Sequence, residues 1–270
     1  QRPPGCDLGR PYMGAATARV GHLPISPLSP YLGVSMQKRI LFTALAGCLS
    51  ASACLGSGDS FTTSSSGNAV VQFVNASNSS VQFIDEFDAS INQAGITWGN
   101  NSHCFSVNAA SSGLIVVPSD IGGYNPVPLL GLVPNDTFMV TVMPILAGGV
   151  QFNTFYQAFT PAAGQAGLRV INASPQLEFG PNVDAYATPL GGSLGTTPNA
   201  ANIIFPHGSG YFNLPPGSYD VKITNAGTQT VIADAGEADL TAGTLRTVVV
   251  TDPAPDALTQ FRAFVVSPGC

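Results

Sequence analysis

One string in the sequence has the spacing of a catalytic nucleophile. Gly191-Gly192-Ser193-Leu194-Gly195 matches the G-x-S-x-G turn, which exposes a nucleophilic serine between a strand and a helix. That chemistry also needs an acid and then a histidine later in the chain. No acid separates Ser193 from His207, and no histidine follows His207. We therefore interpret the string as a glycine-rich turn, and we predict no catalytic residue.

Three carboxylates form the densest acidic cluster. Asp85, Glu86 and Asp88 follow a short apolar stretch, and paired carboxylates serve in acid and base catalysis or bind Ca²⁺ through hard oxygen atoms. The spacing of an EF-hand is missing, and acids are ordinary in a loop after a strand. We favour a solvated loop, with a weak cation or ligand site as the alternative. No metal site is assigned firmly, and no cofactor is predicted.

The other residues with chemical potential are His103, Trp98 and two cysteines. His103 lacks a partner at metal-ligand spacing. Trp98 can stack on a sugar, but a lone tryptophan in a β-protein is more often a core or sheet-edge residue, which we favour. An oxidising compartment favours a disulfide between Cys104 and Cys270. The alternative, two thiols too distant to meet, stays open.

The start of the chain has the pattern of an export signal. Residues 1–35 lack a hydrophobic period, and we interpret them as an upstream extension or a disordered leader. Met36 then begins a basic stretch, Gln37-Lys38-Arg39, which is followed by a short apolar run. That run is shorter than the roughly 20 residues that a membrane-spanning helix needs. The pattern predicts a signal peptide over residues 36–53.

Two cysteines compete for the end of this signal. Leu45-Ala46-Gly47-Cys48 resembles the lipobox of bacterial lipoproteins but leaves a short signal, whereas Ala51-Ser52-Ala53-Cys54 has a weaker box and a normal length. We favour lipidation of Cys54, with Cys48 as the alternative, and a flexible tether over residues 54–68. By resemblance to Gram-negative lipoproteins, we expect an outer-membrane location. Ordinary cleavage, which gives a soluble periplasmic or secreted protein, stays open.

An internal repeat organises the rest of the chain. The stretch V-Q-F-V-N-A-S recurs as L-R-V-I-N-A-S, and a second pair of stretches also matches. We predict a divergent first copy at residues 69–161 and a second copy at residues 167–270, with few contacts between them. A cut at Gly164 in the linker should then release two folded pieces, of which the second is the more robust. The matching stretches are 71–77 with 168–174 and 132–142 with 240–250.

Alternation along both copies indicates short strands joined by turns. Tyr219, Val221 and Ile223 alternate with polar residues, so one strand face is apolar and the other is wet. Turn strings follow at short intervals: Pro215-Pro216-Gly217-Ser218, Asn225-Ala226-Gly227 and Thr241-Ala242-Gly243-Thr244. The sequence therefore predicts an all-β fold, with two tandem immunoglobulin-like antiparallel β-sandwiches.

Charge excludes several classes of partner. Only 9% of the residues are charged, and the chain beyond Cys54 has four basic against fourteen acidic residues, a net charge of −10. Such a surface repels phosphate backbones and anionic lipid. We expect no nucleic-acid partner, and contact with a membrane only through the lipid anchor.

Four strings of the second copy carry a family resemblance. In chain order they are LRVINASP, NVDAYAT, FPHGSGYFNLPPGSYDVKIT and LTAGTLRTVVV, and together they resemble the bacterial domain-of-unknown-function family 4397. The resemblance covers nearly all of residues 167–268, whereas the first copy matches only at its ends. It implies an extracytoplasmic β-sandwich, often in tandem, with no established activity.

These observations favour a non-catalytic function. We expect an envelope-anchored binding or adhesion module whose partner is a surface polysaccharide or a protein, because loops on a rigid scaffold are where such folds bind. A structural component of envelope assembly is the alternative. A carbohydrate-active enzyme ranks third.

Overall fold

A computed structural model describes the greater part of the repeat region. The described residues are 67–85, 91–109, 114–118, 125–126, 132–146, 149–178, 180–255 and 260–270. Ser60–Cys270 forms one compact unit. Within the described ranges, no helix is long and apolar enough to cross a membrane.

Eight strands belong to the first copy. They are β1 (Asn68–Asn75), β2 (Val81–Asp85), β3 (Asn92–Ile96), β4 (Asn101–Asn108), β5 (Leu114–Pro118), β6 (Asn125–Pro126), β7 (Thr137–Pro144) and β8 (Val150–Tyr156).

Eight strands also belong to the second copy, together with a single turn of 3₁₀ helix at Pro175–Leu177. The strands are β9 (Ala166–Asn172), β10 (Val183–Pro189), β11 (Ala200–Ile203), β12 (Phe212–Leu214), β13 (Gly217–Asn225), β14 (Val231–Leu240), β15 (Leu245–Thr251) and β16 (Arg262–Val266).

The strands form four sheets, and the two copies have the same strand order. The first copy has an inner sheet, β4-β1-β7-β8, and an outer sheet, β3-β2-β5-β6. The second copy repeats this with an inner sheet, β12-β9-β15-β16, and an outer sheet, β11-β10-β13-β14. The prediction of an all-β fold is confirmed, and the shared order extends the repeat through the centre of the first copy, where the sequence match is weak.

One strand pair in each copy departs from the antiparallel expectation. β1 pairs with β7 in parallel, and β9 pairs with β15 in parallel in the same register, with Gln72 beside Met139 and Arg169 beside Thr247. The prediction of purely antiparallel sheets is therefore wrong at these pairs. Side chains alternate with period two whichever way a strand runs, so the sequence pattern does not reveal strand direction.

Each copy has its own core between its inner and outer sheets. In the first copy, Phe73 of β1 stacks on Phe83 of β2, with 4.1 Å between ring centroids. In the second copy, Tyr219, Val221 and Ile223 face the core as predicted. Gly227 and Gly243 adopt φ angles of 73° and 79° in two of the predicted turns, a conformation that glycine adopts without steric cost.

A third core lies between the two inner sheets, and we call it the seam. Eight residues from both copies form it: Val74, Ala76, Met139, Met143, Ile171, Ala173, Val249 and Val266. The central inner strands β1, β7, β9 and β15 are therefore buried on both faces over most of their length, and the four sheets stack in the order outer, inner, inner, outer. The expectation that few contacts cross the linker is wrong, because the second face of each inner sheet, instead of meeting water, packs against the other copy.

The contacts beside the seam occur in equivalent pairs. The segment that follows the last strand of each copy packs against the other copy. Cys270, after β16, forms a disulfide with Cys104 of β4. Phe159, after β8, stacks on Tyr211 next to β12, with ring centroids 5.2 Å apart. Counted from the strand registers, Cys104 corresponds to Tyr211 and Cys270 to Phe159. The two copies thus contact each other as the subunits of a two-fold dimer do.

The repeated Asn-Ala-Ser string ties the two sheets of each copy together. Asn75 Nδ2 donates to the carbonyl of Ile96 at 2.8 Å, and Asn75 Oδ1 accepts from the backbone N–H of Ser77 at 2.9 Å. Asn172 makes the matching bonds, to the carbonyl of Ile203 and from the N–H of Ser174. Both asparagines are fully buried. This arrangement explains why the string recurs, because it joins the end of an inner strand to an outer edge strand.

Candidate functional site

The structure places the serine motif in an exposed loop. Ser193 lies between β10 and β11 and is exposed, and the chain after Gly195 enters strand β11, where a nucleophile elbow would continue into a helix. His207 lies in the next loop and is also exposed. The interpretation of this string as a glycine-rich turn agrees with its position.

The acidic cluster and the lipidation cysteines lie largely outside the described residues. Asp85 ends β2, but its side chain, Glu86 and Asp88 are not described, so the weak cation site stays a prediction. Cys48 and Cys54 are also not described. Among the described side chains, no group of three or more His, Cys, Asp or Glu residues could hold a metal ion.

His103 and the cysteine pair lie on β4. The His103 side chain is exposed, and its ring packs against Phe105 with 4.1 Å between centroids. The Cys104 and Cys270 sulfur atoms are bonded, although 166 residues separate them in sequence. The structure brings this predicted pair together because the tail after β16 returns along the first inner sheet.

Trp98 lies at the seam, on the turn between β3 and β4. Its indole Nε1 donates to Thr251 Oγ1 of the second copy at 3.1 Å, and its ring meets Phe264 edge to face at 5.2 Å. Gly99 has a φ angle of 77°, which completes the tight turn that carries Trp98 outward. The preferred sequence interpretation is a core or sheet-edge tryptophan; Trp98 lies beside the sheet edge, half-buried, and its ring serves the contact between the copies.

An open cleft lies beside this tryptophan, and we call it the Trp98 cleft. Its volume is about 270 Å³. The Arg262 guanidinium lies 4.0 Å from the centroid of the indole ring, a cation–π contact. Arg262 Nε also donates to the carbonyl of Asp252 at 3.1 Å, and Nη2 donates to Asn78 Oδ1. The lining residues are Trp98, Asp234, Gln260, Phe261, Arg262 and Ala263.

The cleft contains both signs of charge. Lys222 Nζ lies 2.5 Å from Asp234 Oδ2. Partial burial alone would raise the pKa of Asp234, but hydrogen bonds from Lys222 and from the backbone N–H of Gly236 hold it below its usual value. Asp234 is therefore ionised at neutral pH. Asp252 behaves differently, because burial raises its pKa despite hydrogen bonds from Ser174 and Gln176.

The cleft thus combines an aromatic ring with carboxylate, amide and guanidinium groups, the components from which sites for hydroxylated ligands are built. A partly exposed aromatic plane packs against the apolar face of a sugar ring, while planar carboxylate, amide and guanidinium groups bond pairs of hydroxyls. Pockets for small ligands commonly combine an apolar wall with a few polar groups in this way.

Sequence reasoning found Trp98 but missed Asp234, Gln260 and Arg262. These residues belong to the other copy, more than 130 positions along the chain. A visible signal was that Arg262 is one of only four basic residues after Cys54. Its proximity to Trp98 depends on the packing of the seam, which neither copy encodes alone.

Comparisons with known proteins cover part of the chain. Residues 166–267 match a family model described as "Domain of unknown function (DUF4397)". Among solved structures, the carbohydrate-binding module CBMbc (family CBM26) from Eubacterium rectale Amy13K, in complex with maltoheptaose, is 8% identical to this chain. That alignment covers 74% of this chain and 98% of the module, with a TM-score of 0.25. No curated protein matches the chain.

Proposed function

Residues 166–267 form a domain of the DUF4397 family, and for the chain that carries it we propose a non-catalytic function: binding of a surface polysaccharide in the Trp98 cleft. The observation that carries the proposal is the joint construction of the cleft. Trp98 comes from the first copy and Arg262 from the second. A ligand there contacts both copies at once.

The chemistry of the cleft favours a neutral or weakly charged sugar. Trp98 and Phe261 supply aromatic surface, while Asp234 and Gln260 supply acceptors and donors for hydroxyl groups. The opposite charges of Asp234 and Arg262 leave no strong preference for an ion. A polysaccharide suits an open cleft, since its chain can continue past the site in both directions.

The location of this module is part of the proposal. Lipid attached to Cys54, or to Cys48, would hold the compact unit at an envelope surface through the tether of residues 54–68. Palmitate-analogue labelling tests the anchor: the protein should label and fractionate with membranes. If a Cys48→Ser, Cys54→Ser double variant still fractionates with membranes, the anchor does not exist.

A glycan array probed with residues 60–270 tests binding. We expect saturable binding to at least one polysaccharide class, and Trp98→Ala should weaken it about tenfold or more, because stacking and burial of an aromatic ring contribute roughly 1.5–3 kcal/mol. Trp98→Phe keeps an aromatic plane and should retain most of the affinity.

The matched control is Leu190→Ala, which truncates an exposed side chain in a loop of the second copy. It should bind as the wild type does. Equal binding by the wild type and Trp98→Ala would place the ligand elsewhere. No saturable glycan would remove the proposal and favour a structural component of the envelope.

A further inference from the structure

We propose a second binding site, for a carboxylate group. It is a cavity between the two copies, lined by Thr137 and Gln157 of the first copy and by Gly243 and Pro268 of the second, among others. We call it the seam cavity. Its volume is about 330 Å³, within the range of small-ligand pockets. This site goes beyond the Trp98 cleft and does not depend on it.

The seam cavity lies where the two copies meet symmetrically. Thr137 begins β7 and Leu245 begins β15, and these positions correspond in the two copies. Gln157 and Pro268 follow β8 and β16 and correspond in the same way. All four line the cavity. Equivalent positions of the two copies therefore form the walls of the cavity, but different side chains occupy them.

The wall of this cavity contains a buried amide group whose N–H has no hydrogen-bond partner in the described part of the chain. Gln157 lines it and is only 6% exposed, and its Nε2 makes no hydrogen bond with the described residues. Buried amide N–H groups are normally bonded, because an unbonded donor loses its hydration without replacement. Nε2 itself has almost no accessible surface, so an acceptor oxygen in the cavity bonds it only after the Gln157 amide turns toward the cavity.

A cation lines the same cavity. Arg246 Nη1 donates to the carbonyl of Leu245 at 2.9 Å, and no acidic side chain among the described residues forms a salt bridge with Arg246. The other basic residues after Cys54 are engaged elsewhere: Arg169 in the seam, Lys222 with Asp234, and Arg262 in the Trp98 cleft.

The polar side chains of the lining select the chemistry of the ligand. A guanidinium, an amide N–H and the Thr137 hydroxyl all donate, and no acidic side chain lines the cavity. A carboxylate offers two acceptor oxygens and one negative charge, and it forms paired bonds with a guanidinium. A sugar acid and the C-terminal end of a peptide both carry this group, and acids of both kinds are therefore tested as ligands.

The test is a titration of the full chain, with its disulfide intact, followed by proton–nitrogen NMR. The probes are glucuronate and acetyl-alanyl-alanine, each beside its neutral amide. We expect the acids to shift the side-chain amide signal of Gln157 and the amides to leave it in place. Arg246→Gln should weaken binding about tenfold, and Gln157→Met by about fivefold.

Lys222→Gln is the matched control, because it removes the same charge at a distant salt bridge. It should change the affinity by less than about twofold. Preference for one acid identifies the source of the carboxylate, and equal binding of both identifies the bare group as the ligand.

Three results would overturn the proposal: no response to either acid, equal binding of the amides, or equal weakening by Arg246→Gln and Lys222→Gln. If Arg246→Gln fails to fold, Gln157→Met alone decides, and its unchanged affinity would also overturn the site. Trp98→Ala should leave carboxylate binding intact, so this site and the Trp98 cleft can fail separately.

Discussion

Breaking the disulfide between Cys104 and Cys270 should destabilise the protein mainly through its unfolded state. The bond joins residues that are 166 positions apart. For a closed loop of that length, the chain-entropy relation gives about 5 kcal/mol at 25 °C, and measured disulfides typically contribute about 2–4 kcal/mol. We therefore expect a Cys104→Ser, Cys270→Ser double variant to lose about 2–5 kcal/mol of unfolding free energy.

Urea unfolding measures this loss directly. With a slope of about 2 kcal/mol/M, the midpoint should fall by about 1–2.5 M. The slope itself should rise, because an unlinked unfolded chain exposes more surface. Wild-type protein treated with a reductant should match the double variant, which separates loss of the bond from any effect of the serine side chains.

The native fold should survive the change. Gln72 Nε2 still lies within hydrogen-bond distance of the Ser267 carbonyl, and the seam does not include either cysteine. Circular dichroism should therefore be unaltered below the transition. An unchanged midpoint in the reduced protein would refute the reasoning, since it would mean that the bond does not form or does not restrict the unfolded chain.

Three further predictions concern the seam and the buried polar groups. If a protease site is introduced at Gly164 and cleaved, the two halves should still elute together in size-exclusion chromatography, even in reductant, because they share the seam core. Separate elution would contradict this. Burial raises the pKa of Asp252, so its contribution is complete below its ordinary value and is lost as the pH rises through the raised one. Asp252→Asn should therefore gain stability relative to the wild type in urea unfolding as the pH rises above the ordinary pKa of a carboxyl group, and a relative loss would show the opposite sign. Asn75→Ala should cost more stability than Asn172→Ala, each roughly 1–4 kcal/mol, because Asn75 also bonds Ser79 and the Ser77 hydroxyl; equal thermal shifts would argue against this.

Local signals in the sequence were sufficient for the strands and turns. The Asn75 and Asn172 strings fixed the start of each copy, and Gly227 and Gly243 fell at turns where φ is positive. These features depend on a few neighbouring residues, so a short window of sequence contains the information. The second copy was clearer because more of its turns carry glycine or proline.

The seam was missed because polar residues interrupt its apolar faces in the sequence. Gln72, Thr141, Arg169 and Thr247 point into it and are buried, with Arg169 only 4% exposed. Arg169 has no carboxylate partner; its guanidinium bonds the Tyr156 carbonyl and lies 4.6 Å from the Tyr211 ring centroid. A polar residue at every second position normally indicates a wet face.

A weaker signal for two-sided burial was present. Three successive valines, Val248, Val249 and Val250, are typical of a strand that is covered on both faces. The Trp98 cleft could not be predicted from either copy, because its residues meet only through the seam.

The fusion of both copies in one chain frees equivalent positions to differ. In a two-fold dimer of identical subunits, every contact on one side of the axis recurs on the other side. Here the Cys104–Cys270 disulfide links the two copies on one side, and the stacked rings of Phe159 and Tyr211 form the equivalent contact on the other. A reductant therefore acts on one side alone: it breaks the bond between Cys104 and Cys270, whereas the stacked rings of Phe159 and Tyr211 contain no bond that a reductant breaks. The two copies thus combine equivalent strand arrangements with a response to reductant on only one side of the seam.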